Sequence, residues 1–302
     1  MKLADIKNFT KNTKANIYFD HSLNKINWFN IGGKSKIFFK PESLNELISF
    51  LKLYKKRGKI FSIGAGSNIL ITDGVFDGVV IKLGSNFRKI SILNENIIIA
   101  GSNVTDRAFS DFAMENNIGG FEFLSCIPGT IGGGIRMNSG CYGIEFKDIL
   151  VSVQAIDFDG NVLSIPANKI KFSYRGVNLP NNLIFLSATF KGKKKKKKKI
   201  KKKILKLKKI KEKTQPSKIK TGGSTFKNPI SQTQKKAWEL IKNSVPKNTK
   251  FGDAAVSEFH SNFLINKKNA KFKDMIRLIS YIKSNVKKKF NVNLELEIIL
   301  VK

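Results

Sequence analysis

The alternation of apolar and polar positions over the first 190 residues is typical of a strand-rich α+β fold. Apolar side chains between Leu44 and Leu51 recur at helical spacing, which predicts a helix within 41–56. A second helix is predicted over 106–116, and the Asp-Gly chemistry of 157–161 predicts a turn between strands. The predicted strands cover 36–40, 59–63, 79–83, 97–100, 151–157 and 183–190.

The pattern becomes helical after residue 193. Residues 193–213 contain 15 lysines, yet Ile200, Ile204 and Leu207 recur at helical spacing. This predicts a basic amphipathic helix with a frayed or disordered lysine-rich start and a solvated charged face; an interaction tail is the alternative. Helices are then predicted over 234–243 and 269–289, followed by a final strand over 293–301.

The composition is that of a folded protein with an excess of positive charge. Hydrophobic residues make up 41% of the chain, enough for a substantial core. The formal charge is +34, and it is still +20 without the 15 lysines and one glutamate of 193–213. Arginine, which reads bases with two hydrogen bonds, is scarce, so phosphates and nucleotides are better candidate ligands than a specific nucleic-acid sequence.

Several classes of protein are excluded by what the sequence lacks. No run approaches the roughly 18 apolar residues of a membrane helix. The first residues, MKLADIKNFTKN, contain no apolar segment, so we expect no secretory signal and a cytoplasmic protein. Two cysteines, Cys126 and Cys141, and two histidines, His21 and His260, are too few for a disulfide scaffold or a structural zinc site, and we expect no metal.

Two glycine-rich segments are candidate ligand-binding loops. Gly64–Asn68 follows a predicted strand and could present backbone amides to an anion, although a tight turn explains it equally well. It lacks the Gly-Lys-Ser/Thr of a P-loop and the third glycine of a dinucleotide fingerprint. The segment from Ile127 to Gly143 is longer, and its entropic cost is easier to understand if a flat or phosphorylated ligand lies against the backbone. Together the two segments favour a dinucleotide.

Three polar motifs follow, each weak when taken alone. They are FSYR at 172–175, GGSTFKNP at 222–229 and LELE at 294–297. Arg175 could be a surface ion-pair partner, Ser224 a loop hydroxyl and Glu297 a solvated charge. In an alternating strand, Glu295 and Glu297 would share the face opposite Leu294 and Leu296.

The order of these motifs resembles the UDP-N-acetylenolpyruvoylglucosamine reductase (MurB) family. The resemblance rests on IGAGSN, IPGTIGGG, MNSGCYG, FSYR, GGSTFKNP, SEFHSNFLIN and LELEI, and runs from about Trp28 to the C-terminus. The direct path through KTQP to GGSTFKNP is similar to the shorter, type II members. Gly134, Ser139 and Cys141 stand where the family commonly has alanine, but all are small. TGG at 221–223 stands where SAG is common.

The resemblance implies a two-domain α+β architecture. An FAD-binding domain of the vanillyl-alcohol oxidase/PCMH type would cover 1–192, with two α+β subdomains of about 1–84 and 85–192. A smaller α+β substrate-binding domain would cover 193–302 and begin with the Lys-rich helix 193–213. Its C-terminal strand, 293–301, would return to the active-site cleft.

The resemblance also implies a reaction. FAD would be bound non-covalently and reduced by NADPH. Flavin N5 would then deliver hydride to C3 of the enolpyruvyl ether of UDP-N-acetylglucosamine, and a proton would be added at C2. The product would be UDP-N-acetylmuramate, a peptidoglycan precursor. We expect a monomer with no membrane and no specific nucleic-acid partner.

Site residues carry over from the family one at a time. Arg175 and Glu297 would stabilise the developing negative charge, and Ser224 would donate the proton, with Lys227 or a water relay stabilising its alkoxide. Tyr174, Lys227 and Asn228 would bind substrate. The expected flavin contacts are Gly64, Ala65, Gly66, Ser67, Asn68, Pro128, Gly129, Thr130, Gly132, Gly133, Asn138 and Gly140.

Two rival interpretations remain open from the residues. One is another flavoenzyme of the same fold class that oxidises an alcohol or hydroxy acid, with Cys126 or Cys141 available for a covalent link to FAD. The other is a basic nucleic-acid-binding protein built around 193–213. We expect both thiols to be small buried side chains, and His260 to order a loop.

Overall fold

The computed structural model describes Ile6, Phe9, Thr13, Ile219 and residues 15–55, 57–214 and 221–302. Most of MKLADIKNFTKN, for which we expect no secretory signal, lies outside the described residues, as do Gln215 and Pro216 of KTQP.

The helices and strands are numbered in chain order. The helices are α1 (Leu44–Tyr54), α2 (Asp106–Glu115), α3 (Ile131–Arg136), α4 (Lys197–Thr214), α5 (Ala237–Ser244) and α6 (Phe272–Phe290). The strands are β1 (Asn16–Ser22), β2 (Lys34–Lys40), β3 (Lys59–Ser62), β4 (Ile69–Ile71), β5 (Val75–Ile81), β6 (Ile90–Asn94), β7 (Ile97–Gly101), β8 (Ile118–Gly119), β9 (Gly140–Cys141), β10 (Ile144–Glu145), β11 (Leu150–Asp157), β12 (Val162–Pro166), β13 (Phe172–Ser173), β14 (Gly176–Val177), β15 (Leu183–Lys191), β16 (Lys193–Lys194), β17 (Thr221–Ser224), β18 (Lys250–Phe251), β19 (Ala254–Val256), β20 (Phe263–Asn266) and β21 (Ile299–Val301).

The described residues form two compact units, each discontinuous in sequence. The first lies within 1–20, 36–65 and 77–210, and the second within 21–35, 66–76 and 211–302. These compact units are not the two domains, 1–192 and 193–302, that the resemblance implies. The domain boundary at 192–193 stays a prediction. Among the described residues, no helix combines the length and the apolar character needed to cross a membrane.

The first unit is built on two sheets. One has the strand order β1-β2-β5-β3, with β3 and β5 parallel, and the other is antiparallel with the order β12-β11-β15-β7-β6. Helix α1 begins with a capping box between Ser43 and Glu46 and ends at Lys55, which is left-handed. These signals place the helix within the predicted segment 41–56. It buries Leu47 and Phe50, and the Phe50 ring stacks on Phe39.

Helix α2 confirms the predicted helix at 106–116. Thr105 caps its start by accepting a hydrogen bond from the amide of Ala108. The ring of Phe109 packs edge-on against the rings of Phe121 and Phe190, with 5.0 and 4.9 Å between the ring centroids. The helix is thereby fixed on the five-stranded sheet.

The lysine tract forms a short strand followed by a helix. The buried side chains of Ile200, Ile204 and Leu207 confirm the predicted helical periodicity of α4. The prediction of a frayed start is wrong, because β16 pairs with β8 and the amide of Lys197 donates to Oδ1 of Asn117. Carboxylates of the first unit pair with the tract: Lys195 and Lys203 meet Glu122, and Lys197 meets Glu115.

The second unit is a four-stranded antiparallel sheet, β17-β20-β19-β18, packed with α5 and α6. The apolar stripe of α6 buries Leu278, Ile282 and Val286. The same core contains Phe29 and Leu70 from early in the chain.

The predicted C-terminal strand over 293–301 is only partly correct. Leu296 makes an isolated antiparallel bridge with Phe226, whereas Ile299–Val301 runs parallel to β4. The chain changes partner between these two pairings and bends at 297–298. A single alternating strand is therefore not formed.

Candidate active site

The second glycine-rich segment folds into a short helix in the first unit. Thr130 bridges Thr105, and α3 follows directly. The amides of Ile131 and Gly132 donate to the carbonyls of Val104 and Ser102, both at 2.9 Å. The segment is thus fastened to the connection between β7 and α2.

Close packing within the protein explains several of the glycines. A Cβ on Gly64 would lie 2.4 Å from Oγ1 of Thr130, and one on Gly134 would lie 2.3 Å from the Phe146 ring. Gly133 is different, because a Cβ there would meet only Thr130, at an ordinary 3.5 Å. Packing does not require glycine at Gly133, so the bare backbone there is available for a ligand to approach.

Asp106 is a candidate group that the sequence did not single out. Its side chain is fully buried, and neither carboxyl oxygen has a hydrogen-bond partner among the described residues. Burial raises the pKa of Asp106 well above its ordinary value, which favours the protonated carboxyl over the carboxylate. A Cβ on Gly129 would lie 2.4 Å from its Oδ2. An unsatisfied buried group costs about 1–3 kcal/mol, which fits a ligand-binding site. Aspartate is common in a first helical turn, so the sequence carried no signal for this role.

In the Gly64–Asn68 segment, glycine is required at Gly66 by both backbone conformation and close packing. Gly66 has φ +68°, and a Cβ there would lie 2.3 Å from the carbonyl of Ile26. Its own carbonyl accepts a hydrogen bond from the amide of Trp28. The side chain of Asn68 donates to the carbonyl of Glu297 at 3.1 Å. Gly66 and Asn68 therefore have structural roles in the second unit, in addition to any contact with a cofactor.

Arg175 lies in the two-residue turn between β13 and β14. It has φ +59°, a left-handed conformation that is unfavourable for a long side chain. Its Nη2 donates to the carbonyl of Gly140 at 3.0 Å, and its Nη1 lies 3.6 Å from Oε1 of Glu145. The guanidinium also lies over the ring of Tyr174, with 5.0 Å to the ring centroid. Only 18% of the side chain is exposed.

Asn138 connects the glycine-rich segment to the arginine turn. Its Nδ2 donates to Oε2 of Glu145 and to the carbonyl of Ser173, both at 3.0 Å, and its Oδ1 accepts from the amide of Lys147. The side chain is completely buried. The flavin contact of Asn138 stays a prediction. Its side chain has a structural role, since it joins the glycine-rich segment to Glu145 and to Ser173 before the arginine turn.

The second unit brings the GGSTFKNP and LELE motifs side by side. Ser224 ends β17 and pairs with Phe263. The amide of Glu297 donates to the carbonyl of Thr225 at 2.8 Å, and the amide of Lys227 donates to the carbonyl of Glu295 at 2.9 Å. The two sequence motifs therefore share one backbone ladder.

The side chains near this ladder have defined partners. The ammonium of Lys227 lies 3.7 Å from the carboxylate of Glu295, and Oδ1 of Asn228 accepts from the amide of Ala237 at the start of α5. Asn262 both donates to and accepts from the backbone of Phe226. Lys227 thus has an exposed carboxylate as a partner, and its assistance to Ser224 stays a prediction.

The histidine and cysteine side chains have local contacts. Nδ1 of His260 accepts from the amide of Asn262, and burial lowers the pKa of His260, as suits the predicted loop-ordering role. The thiol of Cys141 donates to the carbonyl of Phe123. Cys126 is buried, as predicted, whereas the prediction of a buried thiol is wrong for Cys141, which is partly exposed.

Two separate stretches of the chain match models of known protein families. Residues 35–165 match the model of an FAD binding domain, so the chain is a flavoprotein with the predicted α+β fold class. Residues 215–301 match the model described as UDP-N-acetylenolpyruvoylglucosamine reductase, C-terminal domain. The chain belongs to the UDP-N-acetylenolpyruvoylglucosamine reductase family, whose members are oxidoreductases.

Relatives and a solved structure support this assignment over the whole chain. A reductase of that name from Pelagibacter ubique is 56% identical over 302 residues, covering 100% of both chains. One from Rickettsia conorii is 46% identical over 279 residues, covering 92% of this chain and 93% of the relative. The crystal structure of the Thermus caldophilus enzyme has a TM-score of 0.81 and 25% identity, covering 96% of this chain and 99% of that one.

Proposed function

We propose that the protein uses FAD and NADPH to reduce the enolpyruvyl ether of UDP-N-acetylglucosamine to UDP-N-acetylmuramate. Family membership over the full chain supports the activity. The observation that favours the proposed chemistry most is Arg175, a largely buried guanidinium held in a left-handed turn beside the glycine-rich segment. Strained backbone of this kind is typical of functional sites.

The residues of the first unit fit the flavin. A planar group could lie against the bare backbone at Gly133. A polar group could supply the hydrogen-bond partner that the carboxyl of Asp106, beside Gly129, lacks among the described residues. We propose that FAD is held non-covalently by the backbones of Gly64–Asn68 and Pro128–Gly133. The bound flavin supplies hydride transfer, and the chain's own residues orient and stabilise the reactants.

Arg175 has a chemical role that follows from the charge of the product of hydride addition. Addition of hydride at C3 leaves negative charge at C2, shared with the adjacent carboxylate. A preorganised guanidinium stabilises that charge with planar, bidentate hydrogen bonds, and its partial burial strengthens the interaction. We propose that Glu297 supports the same charge, as a hydrogen-bond donor in its protonated form.

Ser224 is the proposed proton donor to C2. A serine hydroxyl is a very weak acid, so the alkoxide it leaves needs stabilisation. With Lys227 paired to Glu295, a water relay is the better candidate for that task. Tyr174, Lys227 and Asn228 are the proposed substrate-binding side chains.

The cellular setting is proposed from the resemblance. We propose a cytoplasmic monomer that supplies a peptidoglycan precursor and has no membrane or specific nucleic-acid partner. The covalent-flavin rival is tested by acid precipitation, since a yellow pellet would favour it.

The deciding experiment is anaerobic mixing of the purified, flavin-loaded protein with NADPH and then with the enolpyruvyl substrate. We expect NADPH to bleach the flavin absorbance and the substrate to restore it. Bleaching without reoxidation by the substrate would refute the proposed substrate. Protein that does not take up FAD would refute the flavoenzyme assignment.

A further inference from the structure

We propose that Glu145 is a positioning residue that holds the guanidinium of Arg175 in its working orientation. The proposal rests on the proposed role of Arg175. Glu145 was not among the residues singled out from the sequence, and its contribution is made through the arginine.

Two partners of the guanidinium belong to one hairpin. Gly140 and Glu145 are paired residues of β9 and β10. The carbonyl of Gly140 accepts from Nη2 of Arg175 at 3.0 Å, and Oε1 of Glu145 lies 3.6 Å from Nη1. A backbone acceptor and a carboxylate on adjacent strands thus hold two separate guanidinium nitrogens. The hydrogen bond to Gly140 fixes one guanidinium nitrogen, and the carboxylate of Glu145, at ion-pair distance, attracts the other electrostatically.

The hairpin is shaped to place this carboxylate. A Cβ on Gly140 would lie 2.7 Å from Cγ of Glu145 and 2.4 Å from the carbonyl of Ile144. A side chain at Gly140 would displace the backbone of Ile144 and Glu145, and with it the Glu145 side chain. The amide of Glu145 also donates to Oδ2 of Asp148 at 2.8 Å, which fixes the backbone from which the side chain extends.

A closed ring of contacts connects Glu145 to Arg175 and, through Asn138, to Ser173 at the start of the arginine turn. Oε2 of Glu145 accepts from Nδ2 of Asn138, and the same Nδ2 donates to the carbonyl of Ser173, two residues before Arg175. The ammonium of Lys147 lies 3.1 Å from Oε2. The buried Asn138 amide therefore holds the carboxylate, as a support for a catalytic side chain should do, whereas the half-exposed Lys147 adds only a weak surface ion pair.

The carboxylate has two opposing effects on the arginine. It orients the guanidinium, which favours stabilisation of the developing charge. It also offsets part of the positive charge, which weakens attraction for the anionic substrate. Loss of the carboxylate should therefore lower kcat without raising KM. A loosened site would raise KM as well, and a partly unfolded population would lower the flavin content of the protein.

The experiment compares Glu145→Gln with Lys147→Gln in the flavin-loaded enzyme, using anaerobic rapid mixing. In Glu145→Gln we expect flavin bleaching by NADPH within about twofold of wild type and reoxidation by the enolpyruvyl substrate slower by about 10- to 100-fold. KM for that substrate and the calorimetric Kd for UDP-N-acetylmuramate should not rise. Lys147→Gln changes the same carboxylate's surroundings without touching Arg175, and both steps should stay within about threefold of wild type.

A double-mutant cycle tests whether Glu145 acts through Arg175. We expect Glu145→Gln to have almost no effect in an Arg175→Lys background, because the guanidinium to be positioned is gone. If the two effects multiply, or if Glu145→Gln reoxidises at the wild-type rate, the inference is wrong. If Glu145→Gln does not retain flavin, Glu145→Asp carries the same comparisons, since it keeps the charge but shortens the side chain.

Failure of the proposed function gives a different result. A wild-type enzyme that is bleached by NADPH but not reoxidised by the enolpyruvyl substrate would refute the substrate assignment. A wild-type enzyme that completes both steps, beside a Glu145→Gln variant of equal speed, would refute only the positioning role.

Discussion

Asn68 and Glu297 are joined by a side-chain hydrogen bond across 229 positions of the sequence. Nδ2 of Asn68 donates to the carbonyl of Glu297 at 3.1 Å. The carbonyl of Asn68 in turn accepts from the amide of Ile299 at 2.9 Å. One asparagine thus spans the bend at 297–298 and holds the backbone of the proposed catalytic glutamate.

Removal of this hydrogen bond should loosen Glu297. We expect Asn68→Ala to lower the free energy of unfolding by about 1 kcal/mol, the usual net value of one hydrogen bond. Chemical denaturation of the apoprotein measures this. Ser22→Ala, which removes an exposed side-chain hydrogen bond to Asn24, is the control and should change the value by less than about 0.5 kcal/mol.

The buried acid Asp106 should make the apoprotein less stable as the pH rises. Its folded pKa is raised, so above the unfolded value of about 3.9 the unfolded chain loses a proton that the folded chain keeps. Stability contributed by this group is full below that value and is lost as the pH rises toward the folded pKa. Asp106→Asn removes the effect.

The measurement for Asp106 is the difference in unfolding free energy between variant and wild type at pH 5 and pH 8. We expect this difference to move in favour of the asparagine variant by at least about 1 kcal/mol, since one group contributes up to about 1.4 kcal/mol per pH unit. An unchanged difference would mean that Asp106 is ionised or solvated in the folded protein.

Glu122 should anchor the lysine tract, whereas Glu115 should not. The Glu122 side chain is 0% exposed and lies 3.2 Å from the ammonium of Lys195 and 3.5 Å from that of Lys203. Glu115 pairs with Lys197 but is 55% exposed. We expect Glu122→Gln to lower the unfolding free energy by about 1–3 kcal/mol and Glu115→Gln by less than about 0.5 kcal/mol.

The effect at Glu122 should depend on pH. Burial raises the pKa of Glu122, but its own backbone amide and the charges of Lys203 and Lys195 outweigh burial and bring it below the ordinary value. The stabilisation is therefore present above the unfolded pKa of about 4.3 and is lost as the pH falls through the lower folded value. Denaturation curves of both variants at pH 7 and pH 3 test this, and equal losses at the two pH values would contradict it.

Ser224→Ala separates proton donation from flavin reduction. We expect NADPH to bleach the flavin at close to the wild-type rate, while reoxidation by the enolpyruvyl substrate slows by about 100-fold or more, as for loss of a general acid. Thr249→Val, which removes a hydroxyl from an exposed loop of the same unit, should leave both steps unchanged. Slow bleaching in the serine variant would argue against a proton-donor role.

The sequence predicted elements where local signals agree. Helix α1 has helical spacing together with a cap at each end, and it lies within the predicted segment. The prediction of a single strand over 293–301 failed because the alternation of apolar and polar residues gives no sign that the segment pairs first with Phe226 and then with β4. The prediction for the start of the lysine tract failed because its order depends on distant groups, the strand β8 and the buried carboxylate of Glu122.

The site was predictable only in part, for the same reason. Motif resemblance brought out Arg175, Ser224 and Glu297. Asp106 and Glu145 carry no such signal, because an aspartate at a helix start and a glutamate in a short strand are ordinary in sequence. Their importance depends on burial and on contacts with Gly129 and Arg175.

The core of the second unit contains side chains from both early and late parts of the chain, so it can form completely only near the end of synthesis. Phe29, Ile31 and Leu70 leave the ribosome early, yet their core partners Leu240, Ile282 and Ile298 are added near the end of translation. These early side chains must stay exposed or find temporary cover until then. A fragment of residues 211–302 alone would contain the late residues of this core but not the early ones. Its sheet and helices would have cavities in place of the side chains of Phe29, Ile31 and Leu70.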